Sequence, residues 1–186
     1  SYEYTSVLHR RIMERVFGVP VINLYGSSET GHLLIEADAG NSVPSTQTAT
    51  LELVDGDTRG VGQFLVTTHT NPYLPLLRYA IGDYAEQTSG GYIVHGRIRD
   101  ALRRTDGSVA TTRQVDALFA DLGDVAHYQL RQQADGRLEL FLMPVQAGDE
   151  LTASAALLRS RLSALLGAEV ALRTDVLIAP EDSGKF

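Results

Sequence analysis

The stretch YQLRQQADGRLELFLM, residues 128–143, sets the expected architecture of the second half of the chain. Residues 138–143 are rich in apolar residues, and in residues 128–133 Tyr128 and Leu130 alternate with polar residues. Ala134-Asp135-Gly136 lies in the connection between the two runs. Runs of this length bounded by turn residues are typical of strands, and a short connection with Gly is typical of a hairpin loop. The stretch therefore predicts a β-hairpin.

The segments around this hairpin predict helices on one face of a small sheet. Residues 112–122 and 152–166 are expected to be helices, and a strand is expected over residues 169–176. The order helix, strand, strand, helix, strand predicts an α+β sandwich. Asp106-Gly107, just upstream, predicts one further tight hairpin turn.

The first half of the chain has a different pattern. A helix capped by Thr5 or Ser6 is expected to end at Gly18, before a strand over residues 21–24 and a loop over residues 25–31. Beyond it, turn residues separate short apolar runs, which predicts an antiparallel sheet or partial barrel. The expected strands are 48–54, 63–68, 76–80 and 92–94.

These segments predict an α+β chain with two parts. We expect a β-barrel-like subdomain followed by a small α+β domain, with the boundary near Arg99. The resulting domains are residues 1–98 and 99–186.

Composition limits the classes of partner. The chain has 186 residues, a net charge of −7 and no cysteine. A negative excess disfavours binding to nucleic acid or to an anionic membrane surface, and no run approaches the ~18 apolar residues of a membrane helix. The lack of cysteine excludes disulfides and thiolate sites and agrees with a cytoplasmic location.

Lysine usage points to one position. Lys185, in Ser183-Gly184-Lys185-Phe186, is the only lysine beside fifteen arginines, since lysine and arginine together number 16. A lysine ammonium is compact and flexible enough to reach a reacting oxyanion, whereas arginine suits static planar pairing. Lys185 is therefore a candidate for charge stabilisation, with a chance occurrence in a surface tail as the alternative.

Two upstream segments carry groups suited to a nucleotide. Tyr25-Gly26-Ser27-Ser28-Glu29-Thr30-Gly31 combines hydroxyls that can bind phosphate oxygens with a carboxylate that can hold Mg²⁺. Asp83, in Arg78-Tyr79-Ala80-Ile81-Gly82-Asp83, can accept two hydrogen bonds from a cis diol. The structural alternatives are a plain polar loop and an aspartate that caps a turn.

In their order and spacing these segments resemble the adenylate-forming superfamily of acyl-CoA synthetases, luciferases and peptide-synthetase adenylation domains. The first resembles that family's Tyr-Gly-x-Thr-Glu loop with Ser28 in place of threonine, and the second its Arg-Tyr-x-x-Gly-Asp segment. Gly96-Arg97-Ile98-Arg99-Asp100 is similar to the family's interdomain hinge, and Pro180 to Lys185 to its terminal Pro-x-x-x-Ser-Gly-Lys motif. Residues 66–79 are particularly similar to the phenylacetate-CoA ligase branch.

The resemblance assigns expected roles to individual residues. It implies that Lys185 bridges the substrate carboxylate and the α-phosphate, that Glu29 ligates Mg²⁺, and that Asp83 holds the ribose hydroxyls. Tyr25, Gly26 and Ser28 would line the nucleotide, Arg97 would contact phosphate, and Glu3 would belong to the adenine pocket. Arg99 and Asp100 would form the hinge, and His32 is a further candidate for the acyl pocket.

The implied reaction joins a small carboxylic acid to ATP and then to a thiol. The acceptor stays open between CoA and the phosphopantetheine of a carrier protein, because Arg104-Thr105-Asp106-Gly107 departs from the family's hairpin that meets the pantetheine arm. No Ser/Thr-Gly-rich phosphate loop occurs in the sequence, so we expect the C-terminal portion of such an enzyme. The alternative is a non-catalytic binding or assembly module, and unpaired strand edges would also allow pairing with a second copy.

Overall fold

The computed structural model describes residues 4–38, 40–146, 151–173 and 178. Contacts between Cα atoms divide them into two units. The first unit holds residue 4 and the described residues within 20–101 and 111–113, and the second holds those within 5–19, 102–110 and 114–178. The predicted domains, residues 1–98 and 99–186, concern the organisation of an adenylating enzyme and stay a prediction.

The first unit is built on one antiparallel sheet of seven strands. In chain order the strands are β1 Leu24–Ser27, β2 Gly31–Asp38, β3 Asn41–Pro44, β4 Ala49–Val54, β5 Val61–Thr68, β6 Tyr79–Thr88 and β7 Gly91–Arg97. Their order in the sheet is β1-β2-β3-β7-β6-β5-β4. Within the described residues, β1 and β4 are edge strands, so the barrel is not closed.

This sheet curls strongly. β1 and β6 are four steps apart in the sheet, which would separate them by about 19 Å if the sheet were flat. Nevertheless, the Tyr25 hydroxyl on β1 lies 2.5 Å from the Asp83 carboxylate on β6. The Tyr25 ring also lies 5.9 Å from that of Phe64 on β5, which is fully buried. The inner face therefore closes around a small apolar core, which agrees with the predicted barrel-like class.

The second unit contains the predicted helix, strand, strand, helix, strand order. Helix α1 Val7–Phe17 belongs to it, with Ser6 as N-cap and Gly18 as C-cap. The short strands β8 Leu102–Arg103 and β9 Val109–Ala110 form the hairpin predicted at Asp106-Gly107. Helix α2 Thr112–Asp116 follows, and its first two residues are counted with the first unit. The remaining elements are β10 Val125–Gln132, β11 Leu138–Pro144, α3 Thr152–Leu166 and β12 Val170–Arg173.

In the second unit, the spacing of the buried residues matches the repeat of side chains along one face of strand β11 and of helix α3. Leu138, Leu140 and Leu142 alternate along β11 and are buried, and the buried residues of α3 recur every three or four positions. Both sets belong to one apolar cluster. The predicted sandwich of helix on sheet is confirmed, and β10 and β11 pair in antiparallel register as expected from the quoted stretch.

Several sequence predictions differ from the structure. The strand expected over residues 21–24 begins only at Leu24, and strands β2 and β3 were not predicted. Residues 25–27 lie in strand β1 instead of a loop, and β6 begins at Tyr79 and runs to Thr88 instead of covering residues 76–80. The helix expected over residues 112–122 ends at Asp116 and continues as a 3-10 turn, Ala117–Phe119. No helix in the described part of the chain is long and apolar enough to cross a membrane.

Candidate functional site

The hairpin of β1 and β2 presents the first polar segment. Its turn is tied by Ser27 and Thr30, whose hydroxyl oxygens lie 3.0 Å apart, and Thr30 Oγ1 also accepts a 3.3 Å hydrogen bond from the Ser27 backbone N–H. Ser28 and Glu29 lie in the turn with exposed side chains. The turn therefore offers one hydroxyl and one carboxylate to a ligand.

Gly26 is required by the close approach of the two strands. A Cβ atom at this position would lie 2.0 Å from the carbonyl oxygen of Gly31, a distance that backbone atoms cannot relieve without moving. The register also shifts between Tyr25 and Gly26, which marks an irregularity in the pairing. Gly26 is thus a structural need of this hairpin, whatever else it contacts.

Glu29 remains charged at neutral pH. The Ser27 hydroxyl holds the pKa of the Glu29 carboxyl below its usual range, with smaller contributions from its own backbone N–H and from the Arg97 charge. Because the carboxylate is exposed, it can bind an external cation without a large desolvation cost.

Asp83, on β6, is buried and lies at the centre of a polar cluster that we call the Asp83 cluster: Tyr25, Asp83 and Arg97. The Tyr25 hydroxyl donates to Asp83 Oδ2 at 2.5 Å, and Arg97 Nε lies 3.3 Å from Asp83 Oδ1. Arg97 Nη1 also donates to the carbonyl of Ile81 at 3.0 Å. Strand β1 and the β6–β7 hairpin, which are remote in sequence, therefore meet at one carboxylate.

Burial dominates the electrostatics of the cluster. It raises the pKa of Asp83 above its ordinary value, although the Tyr25 hydrogen bond and the Arg97 charge act in the opposite direction. Burial also raises the pKa of Tyr25, and the negative charge of Asp83 adds to this effect. Tyr25 therefore keeps its proton and acts as a donor.

Exposure within the cluster is uneven. The Asp83 side chain is 6% exposed, whereas the Arg97 side chain is 42% exposed. The Arg97 guanidinium is therefore the more solvent-accessible of the two charged groups. A guanidinium in such a position suits a phosphate group.

The remaining candidate residues are not part of this cluster. Arg99 and Asp100 follow β7 in the 3-10 segment Ile98–Asp100, where Arg99 Nε lies 3.4 Å from Asp100 Oδ1 and both side chains are largely exposed. His32 is the second residue of β2 and has an exposed side chain. Glu3 and Lys185 lie outside the described residues.

The carboxylates of the described residues permit only a Mg²⁺ site that water and substrate phosphates complete. The described residues contain no group of three His, Cys, Asp or Glu side chains able to hold a metal ion. Mg²⁺ commonly binds one or two carboxylates and completes its shell with water and substrate phosphates. The single exposed carboxylate of Glu29 fits this type of site.

Sequence reasoning missed the central contact. Tyr25 and Asp83 are 58 positions apart, and nothing local to either residue indicates that one binds the other. The contact between Asp83 and Arg97 could have been inferred from strand pairing, because these two residues are direct neighbours across β6 and β7. Detecting it would have required the correct bounds of both strands.

The histidines have structural partners. His95 is buried and contacts Thr111 and Glu86. The rings of His9 and His127 stack, with His9 Nε2 3.1 Å from His127 Nδ1.

No protein-family model matches the chain, and no curated protein matches its sequence. Solved structures do share its fold. A 2-hydroxyisobutyryl-CoA ligase in the postadenylation state, in complex with 2-HIB-AMP, is 18% identical with a TM-score of 0.74, over 98% of this chain and 44% of that chain. The anthranilate CoA ligase AuaEII with anthranoyl-AMP is 15% identical with a TM-score of 0.73, over 97% and 40%.

The A domain of carboxylic acid reductase from Segniliparus rugosus, in complex with AMP and a co-purified carboxylic acid, is similar as well. Its identity is 17% and its TM-score 0.63, over 98% of this chain and 35% of that chain. The chain thus spans less than half the length of the structures that it matches. At these identities the comparison shows the fold, and the chain has the fold of the corresponding part of adenylate-forming ligases.

Proposed function

We propose that this chain is the C-terminal portion of an ATP-dependent enzyme that activates carboxylic acids. In the first step a carboxylate oxygen attacks the α-phosphorus of ATP, the α–β phosphate bond breaks, and pyrophosphate leaves. In the second step a thiol attacks the acyl carbon, loses its proton, and AMP leaves with the bonding electrons. CoA is the proposed thiol, since two of the similar structures are CoA ligases.

The observation that carries this proposal is the Asp83 cluster. Tyr25, Asp83 and Arg97 come from three separate segments, each of which resembles a different nucleotide-contacting motif. Nothing in the motifs alone requires them to touch, yet the fold joins them by hydrogen bonds and an ion pair. Their meeting at one carboxylate supports a shared role toward one ligand.

We assign Asp83 to the ribose diol. A carboxylate has about four lone-pair positions, and Tyr25 and Arg97 use two of them here. The remaining positions can accept two hydroxyl hydrogens. Because its two protein partners already fix the carboxylate, little reorganisation is needed on binding.

We assign Arg97 and Glu29 to the phosphates. Arg97 is the exposed cation beside Asp83, and Glu29 is the exposed carboxylate whose pKa is also lowered by Arg97. Mg²⁺ held by Glu29 would supply charge neutralisation at the phosphate oxygens. Lys185 would place its ammonium near the reacting carboxylate and α-phosphate. A cytoplasmic location is part of the proposal.

The diol assignment can be tested by calorimetry with AMP, 2′-deoxy-AMP and 3′-deoxy-AMP. Each lost charge-assisted hydrogen bond is worth about 1.5–3 kcal/mol, so each deoxy analogue should bind about tenfold or more weakly than AMP. Asp83→Asn should weaken AMP binding and reduce the preference for AMP over both analogues. Circular dichroism would confirm that the variant is folded.

Asp57→Asn is the matched control, because Asp57 also pairs with an arginine in the first unit but lies at an exposed turn. It should leave all three affinities unchanged. Equal binding of AMP and the deoxy analogues by the unmodified protein would remove Asp83 from the diol site.

A further inference from the structure

His95 occupies the extra position of a β-bulge next to the Asp83 cluster. In the pairing of β6 with β7, Tyr84 opposes Gly96 and Ala85 opposes Val94, so His95 has no partner across the ladder. A bulge shifts the phase of every later pair on its strand. Beyond this bulge Arg97 opposes Asp83, and the register of that pair therefore depends on the extra residue.

Both ring nitrogens of His95 are held. Nε2 lies 3.2 Å from Glu86 Oε2, and Nδ1 lies 3.0 Å from Thr111 Oγ1. A carboxylate accepts hydrogen bonds, so the neutral ring carries its proton on Nε2, and Nδ1 then accepts from the Thr111 hydroxyl. Burial lowers the pKa of His95, with Arg113 and Arg59 acting in the same direction and Glu86 against it, which favours the neutral ring.

Thr111 brings a second segment onto the bulge. It is 1% exposed and belongs with residues 112 and 113 to the first unit. A Cβ atom at Gly96, whose φ is +95°, would lie 2.7 Å from Cβ of Thr112, so this segment packs directly on the β7 backbone. Gly96 immediately precedes Arg97, and the packed segment therefore confines the backbone that carries the guanidinium.

We propose that Glu86, His95 and Thr111 form a positioning device that fixes the β7 bulge and thereby keeps Arg97 on Asp83. Without it, loss of the bulge would slip the ladder by one residue, and Arg97 would no longer oppose Asp83. His95 touches no ligand in this account and acts through Arg97. The consequence for nucleotide binding rests on the proposed function, whereas the consequence for the Arg97–Asp83 pair does not.

The test is Thr111→Val, which removes the hydroxyl and keeps the shape of the side chain. The ¹⁵Nε–¹Hε signal of Arg97 reports its pairing with Asp83. In the valine variant we expect this signal to shift and its proton to exchange faster with solvent. Thr111→Ser keeps the hydroxyl and should therefore give the original signal. If the hydroxyl only filled space, the methyl group of valine could replace it, and Thr111→Val would leave the signal unchanged.

Thr50→Val is the matched control. Thr50 also makes a threonine–histidine contact in the first unit, with Oγ1 2.8 Å from His69 Nε2, but on the exposed surface. It should leave the Arg97 signal unchanged. Should Thr111→Val fail to fold, Glu86→Ala is the alternative variant. Glu86 is partly exposed and is the partner of His95 Nε2, so its replacement should shift the same Arg97 signal.

AMP affinity provides the second readout. We expect Thr111→Val to weaken binding up to about tenfold, the equivalent of one neutral hydrogen bond, and Thr111→Ser to restore it. An altered Arg97 signal in a protein that does not bind AMP would uphold the positioning device and count against the proposed function. An unchanged Arg97 signal in folded Thr111→Val, or equal signals in the valine and serine variants, would overturn the positioning device.

Discussion

Asp83 shows how a single carboxylate can be prepared for a ligand before the ligand arrives. Burial disfavours its charged form, while Tyr25 and Arg97 stabilise that form from two sides. The side chain is consequently fixed in one orientation with part of its accepting capacity unused. In the proposed function this capacity is filled by the ribose hydroxyls.

Lys185→Ala should abolish adenylate formation and largely spare thioester formation from supplied acyl-adenylate. The reason is that the ammonium is proposed to stabilise charge only while the α-phosphate is attacked. Loss of one such electrostatic contact typically costs about 10²- to 10³-fold in rate. Pyrophosphate exchange would measure the first half-reaction and thioester release the second.

Lys185→Arg tests whether the shape of the side chain at this position matters as well as its charge. Arginine keeps the positive charge but presents a planar fork, so it should rescue adenylation only in part. Equal losses in both half-reactions for the alanine variant would argue against the assigned role.

At the level of elements, the β1–β2 hairpin differs most from its sequence prediction. Tyr25-Gly26-Ser27-Ser28-Glu29 is rich in residues that favour loops, and the sequence therefore predicted a loop over residues 25–31. In the structure, pairing with β2 makes residues 24–27 a strand and leaves only the turn free. Tertiary pairing decided the conformation of this segment against its local preference.

Gly26→Ala should destabilise the hairpin. The new methyl group would lie 2.0 Å from the Gly31 carbonyl oxygen, so the strands must separate or the pairing must shift. Overpacking of this kind typically costs about 1–3 kcal/mol in the free energy of unfolding. Urea denaturation followed by tyrosine fluorescence would measure the change.

Gly56→Ala is the matched control in the same unit, since a Cβ atom there meets only an ordinary contact at 4.0 Å. It should change the free energy of unfolding far less than Gly26→Ala. Equal stability of the two variants would show that the close approach at Gly26 is not a constraint.

Other elements were predictable because one local signal was sufficient. The alanine- and leucine-rich composition of residues 152–166 predicted α3 with its observed bounds, and Ala134-Asp135-Gly136 predicted the turn between β10 and β11. The first unit was harder to predict, because its sheet order β1-β2-β3-β7-β6-β5-β4 joins strands remote in sequence. β2 and β3 were missed, and the strand at Asp83 was misplaced.

On the scale of the whole molecule, the sequence supplied the candidate residues and the fold supplied their arrangement. Tyr25, Asp83 and Arg97 were all selected from their motifs, but their contact depends on the curl of a seven-stranded sheet. The resemblance to adenylate-forming enzymes is confirmed for the fold, whereas the phenylacetate-CoA ligase branch stays a prediction. The site roles are likewise proposals that need biochemical tests.

The most direct test of the central claim is carboxylate-dependent exchange of pyrophosphate into ATP. The longer, complete protein that the proposal implies would be incubated with ATP, Mg²⁺, labelled pyrophosphate and a panel of aryl and alkyl carboxylates, beside residues 1–186 alone. The account predicts exchange that depends on particular acids in the complete protein, and no sustained exchange by residues 1–186, whose sequence has no phosphate loop. Absence of exchange with every acid, or sustained exchange by residues 1–186 alone, would contradict it.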